Sequence, residues 1–160
     1  MDWGTIVGTI TGAVVGVGTT MLTDRARWRR EQAVRSNTVK RELYASYLAA
    51  AARTWNEIHA AVVTSSEPWP ERARAAGAAY REGGVFELRY QISITAPPHI
   101  VALSDKTMRG YRTLVDKLNA GQVYNSWDEL RSDCQEWFDT LRDLRHEMRA
   151  DLALDTPRAS

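Results

Sequence analysis

Cysteine is almost missing from this sequence: Cys134 is the single thiol in 160 residues. One thiol makes no internal disulfide, and without a CxxC or Cys/His cluster there is no zinc knot to read, so a reducing compartment fits the folded part. Cys134 itself is expected to be a small buried hydrophobe on a helix. Lysine is scarce, at Lys40, Lys106 and Lys117, and the other basic side chains are arginine. The histidines His59, His99 and His146 are scattered, with no HExxH and no carboxylate at ligand spacing, so no metal is expected. Cys134 and His146 are twelve residues apart, about 18 Å along a helix, too far for a catalytic pair. No glycine loop ends in GKS or GKT, which excludes a nucleotide loop of that kind. No carboxylate sits in an apolar run that would raise its pKa. A net charge of +1 excludes both a polycation and an acidic solvating segment. These absences point away from an enzyme and leave no catalytic residue, metal ligand or cofactor to name.

What is present begins with size and rings. The length suits one domain, and six Trp with six Tyr supply large apolar burial, so the chain is not a disordered tail. From Trp3 to Leu22 no residue is charged; a helix of that length covers about 30 Å, the hydrocarbon thickness of a bilayer. Gly and Thr fill half of this run. The expectation is a transmembrane anchor over 1–24. A cleaved signal peptide is the weaker alternative, because only Asp2 precedes the run, and a buried helix is another. Arg25, Arg27, Arg29 and Arg30, with Trp28 among them, follow directly. They predict an N-terminus outside, a cytoplasmic C-terminal domain, and arginines that set topology and meet lipid head groups. Gly4, Gly8, Gly12 and Gly16 recur every four residues, forming overlapping GxxxG frames that predict self-association within the bilayer, with Thr5 and Thr9 beside them.

Residues 25–155 read as a cytoplasmic helical domain, with 156–160 a flexible tail. Neither Gly nor Pro interrupts residues 23–67, and Val39, Leu43, Tyr47, Trp55, Ile58 and Val62 fall near one helical face. Pro68 and Pro70 close that helix and open a second, which Gly83 and Gly84 loosen. Phe86, Leu88, Tyr90, Ile92 and Ile94 then alternate with polar residues as in a strand, yet no second strand exists to pair with it. Val85, Leu88, Ile92 and Thr95 fit a helix face as well, so the stretch reads as helix ending before Pro97 and Pro98, with strand the alternative. Ile100, Ser104, Met108, Tyr111, Val115 and Leu118 mark a third helix with Gly121 as its cap. Ser126 to Glu129 form a capping box opening a fourth, with a seam of Leu130, Cys134, Trp137, Leu141, Leu144 and Met148. Residues 25–41 are strongly basic and residues 128–151 strongly acidic, which predicts that the first and last helices pack together or that the acidic face meets a basic partner. Tyr44, Tyr47, Trp55, Trp127 and Trp137 are expected to build the core.

The layout, an N-terminal span followed by an Arg/Ala-rich domain containing ELYASYLAAARTW and LRYQISITAPPHIVALSDKTMRGY, resembles the small uncharacterised membrane-anchored helical proteins of actinobacteria. That resemblance covers nearly all of the chain and carries no catalytic motif. It implies helix for residues 85–95, and an association with conjugative plasmids, their spread and toxicity to the host. The resulting expectation is an all-α protein, a single N-terminal transmembrane helix followed by an antiparallel bundle of about four helices. Its function would be non-enzymatic assembly at the membrane, with the bilayer, a further copy or a protein as partner. Membrane-proximal nucleic-acid binding and an enzyme with a dispersed site are the other two classes. The arginine cluster is too short for the former, and no recognition helix or aromatic pair accompanies it.

Overall fold

A computed structural model describes residues 37–154. Helix α1 runs over 37–59 and ends in a wider π-helical stretch, Ala60–Thr64. There follow α2 (Trp69–Glu82), α3 (Val85–Thr95), α4 (Pro98–Asn119), α5 (Trp127–Asp133) and α6 (Gln135–Leu154), and no strand occurs among the described residues.

Local chemistry explains the boundaries. Pro68 caps α2 and Pro70 lies in its first turn, where a missing N–H costs nothing. Gly84 takes φ 75°, a left-handed value that separates α2 from α3. Gly121 (φ 93°) ends α4; its N–H donates to Leu118 O at 3.1 Å and that of Gln122 donates to Lys117 O at 3.0 Å. Ser126 Oγ accepts the N–H of Glu129 at 3.2 Å, and the Glu129 carboxylate accepts that of Asn125 at 2.9 Å, which fixes the start of α5.

Helix α4 is the hub. It packs α6 on one flank and α2 with α3 on the other, burying Ile100, Met108, Tyr111, Leu114, Val115 and Leu118. Helix α1 crosses it, with Tyr47 Oη donating to Ser104 O at 3.3 Å and Tyr111 Oη donating to Ala51 O. Burial pushes both phenols far up, so they remain neutral donors. Trp55 stacks on Trp137 (4.8 Å, 18°) and meets Phe138 edge-on at 4.8 Å. Trp127 lies at the border of this cluster against His59. At the far end, Asp151 accepts from Tyr44 Oη at 2.8 Å and Lys40 Nζ at 3.2 Å, and Asn37 Nδ2 donates to Leu152 O at 3.3 Å. The first and last described helices thus lie side by side.

The expected architecture needs correction. No helix among the described residues is long and apolar enough to cross a membrane. Even α4, at 22 residues, carries Asp105, Lys106, Arg109, Arg112, Asp116 and Lys117, each costly in hydrocarbon. Residues 1–24, with Gly4, Gly8, Gly12 and Gly16, lie outside the described residues, as do Arg25, Arg27, Trp28, Arg29 and Arg30. The bilayer as partner, the single-pass topology with a cytoplasmic domain and membrane-anchored assembly thus find no support among the described residues and are not carried further, while the anchor over 1–24 and the glycine-stripe contact fall on residues outside them.

The bundle differs as well. The expected fourth helix is broken at Cys134, whose N–H bonds back to Leu130 O at 3.0 Å before α6 restarts at Gln135. Residues 85–95 are helix, and Val39, placed on the buried face of α1 by its spacing, is 54% exposed.

Candidate functional site

The three histidines, all among the described residues, do not converge. His99 Nε2 lies 3.5 Å from the Glu147 carboxylate, His59 packs on Trp127, and His146 stands on α6 beside Arg142, Arg145 and Arg149. Among the described residues no three His, Cys, Asp or Glu side chains are grouped to hold a metal.

A cleft of about 380 Å³ runs between α4 and the α5–α6 junction, lined by Arg109, Gly110, Cys134 and Trp137 among others. Its mouth is crossed by two ion pairs, Lys106 to Glu136 at 3.0 Å and Lys117 to Asp133 at 2.7 Å. Burial raises the Asp133 carboxyl, but hydrogen bonds from Lys117 and Tyr124 outweigh it and hold the group below its ordinary value. Burial, then the Asp133 charge, push the Cys134 thiol up to about 11. A neutral thiol is a poor nucleophile. The cleft is a helix seam held by ion pairs, and its floor is the contact of Gly110 with Trp137.

The unusual surface belongs to α3. At about 100° per residue, a period-two apolar pattern on a helix places alternate side chains on opposite sides. Ile92 and Val85 are buried and Leu88 packs against the core. Phe86, Tyr90 and Ile94, four residues apart, form a ridge on the other side and are 36%, 59% and 83% exposed. The helix is held in this attitude by the Arg89 guanidinium, which pairs with Asp105 of α4 and lies 4.8 Å over the Tyr90 ring. Phe86 leans on Tyr80 of α2 at 5.7 Å. Beside Ile94 a groove of about 370 Å³ opens between α3 and α1, lined by Val39, Leu43, Ser46, Leu88 and Thr95, with Glu42 at its edge.

Sequence reasoning assigns these residues to a pattern and not to a surface, leaving the docking surface unnamed. Its signal was present in the alternation of residues 86–94, which reads as one buried face only if the stretch is a strand. The expected core aromatics Tyr44, Tyr47, Trp55 and Trp137 are buried, and Trp127 is half-buried.

No protein-family model, curated protein or solved structure matches this chain. The expected role in plasmid transfer or spread therefore has no support and is not carried further.

Proposed function

We propose that this domain works by binding and not by chemistry, and that the open face of α3 is its contact surface for an apolar ridge on a partner helix. The observation that carries this reading is the two-faced burial of α3. A helix apolar on both sides belongs inside a protein, and here one side has the core while Phe86, Tyr90, Ile94 and the neighbouring Val39 meet solvent. Contiguous apolar surface of this kind marks sites of association. A ridge at i, i+4 and i+8 beside a groove matches the geometry by which helices dock on one another.

The test is oxidative footprinting of the intact chain, comparing cells that make the protein with dilute purified protein. Tyr90 should be modified several-fold less in the cells, with Leu154, exposed at the far end of α6, as the unchanged reference. Equal modification of Tyr90 in both settings overturns the proposal.

A further inference from the structure

Resting on that reading, the geometry points to a cationic amphipathic helix of another protein as the partner on the α3 face, its apolar ridge on Phe86, Tyr90 and Ile94 and its lysine or arginine flank along the groove between α1 and α3. Charge selects it. At about 100° per residue, Gln91 and Ile94 stand on the side of Tyr90 that turns toward α1, and both line the groove. Glu87 falls on that side too, about 60° round from Tyr90. Across the opening stands Glu42 of α1. Both carboxylates are exposed, and among the described residues neither has an ion-pair partner.

No cation of the described residues answers them. Glu42 is the one charged side chain among those lining the groove. Arg41 follows Val39 by two residues and so stands about 200° round α1, on its far side, while Lys40 is taken by Asp151. On the other flank of the ridge Arg89, turned about 100° from Tyr90, is paired with Asp105 of α4. Beyond Phe86, the charges acting on Tyr80 come from Arg112 and Asp116, of opposite sign, and from that same Arg89. The ridge is acidic along its groove edge and close to neutral elsewhere.

An apolar centre with a rim of one sign sorts partners. An uncharged helix laid on this face takes water from two carboxylates and returns nothing, and an acidic one adds repulsion. A helix with lysine or arginine along the groove edge meets both carboxylates, and opposite rim charges speed encounter and reject wrong partners. A second copy of this chain brings two more carboxylates and no cation on its ridge. The groove floor of Val39, Leu43 and Leu88 is the kind of apolar recess that takes an anchoring side chain. From Phe86 to Ile94 the ridge covers about 12 Å, so a partner helix of three to four turns spans it.

The experiment uses the full-length chain and two synthetic helical peptides of about sixteen residues with the same leucine ridge, one flanked by lysine and the other by glutamate. Fluorescence anisotropy should show the lysine peptide binding about tenfold more tightly at low salt, with the advantage shrinking as salt screens the rim. Glu42→Gln with Glu87→Gln should weaken the lysine peptide roughly three- to tenfold and leave the thermal unfolding curve unchanged. Glu57→Gln with Glu67→Gln, the same change of net charge at two exposed positions outside the groove, should leave the preference intact. Equal binding of the two peptides, binding of neither at about 100 μM, or a preference that outlives the rim variant or is lost equally in the control overturns the cationic partner. If Tyr90 is nevertheless protected in cells, the contact-surface reading survives with another occupant, an uncharged helix or a second copy, which sedimentation equilibrium separates. If Tyr90 is modified equally in both settings, both fall.

Discussion

At the scale of single residues, two glycines are required for different reasons, Gly110 by a close helix approach and Gly84 by its backbone angle. A Cβ on Gly110 would stand 2.6 Å from Trp137 Cδ1 and 3.3 Å from Cγ. That ring is pinned between Trp55 and Tyr111, so it has nowhere to retreat. Gly110→Ala should therefore cost about 1–3 kcal/mol through overpacking, read as a lower urea midpoint with the slope unchanged. Gly84→Ala meets nothing within 4 Å but keeps φ 75°, and should lose about 1–2 kcal/mol through backbone strain alone. Trp emission would separate the two, because only the first disturbs the stacked indoles. A larger loss from Gly84→Ala would mean that α4 and α6 have slack at their crossing.

At the scale of elements, punctuation was legible in the sequence and environment was not. Pro68, Pro97, Gly84, Gly121 and the Ser126 box act through the backbone of their own neighbours, so their residue types announce the boundaries found between α2 and α5. The break at Cys134 has no such marker, since nothing in SDCQE forbids helix. The open face of α3 was hidden for another reason. Periodicity reports the angle between side chains, and says nothing of which angles find a partner. The glycine and arginine runs before Asn37 lie outside the described residues, and the reading built on them found no support. The α4–α5 clasp carries its own prediction. Asp133 is held below its ordinary pKa of 3.8. Its bonds to Lys117 and Tyr124 therefore add stability that is fully present above that value and lost as pH falls through the lower folded-state pKa. The difference in melting temperature between the parent and Asp133→Asn should be constant from pH 7 to about 5 and shrink in more acidic solution. A difference that grows on acidification would show that the clasp stabilises the protonated form.

At the scale of the whole molecule, α4 collects the other helices, and the ends of the described chain close the bundle. Lys40 and Tyr44 reach Asp151 across 111 and 107 residues of sequence, so this contact joins helices at the two ends of the described chain. Closing so long a loop is entropically expensive, and the carboxylate repays part of that cost by accepting bonds from a phenol and an ammonium at a nearly buried position. Asp151→Ala leaves both donors without it and should lower stability by about 2–4 kcal/mol, a large share of the roughly 5–15 kcal/mol typical of a domain. Asp151→Asn keeps an oxygen for Tyr44 and should lose less. Hydrogen exchange distinguishes local from global weakening. If the clasp only fastens the ends, amides in the last turn of α6 and in residues 40–47 should exchange faster in Asp151→Ala while those of α2 and α3 keep their protection. Uniform acceleration across all helices would instead place Asp151 in the cooperative core, making the end contact a condition for the bundle to hold together.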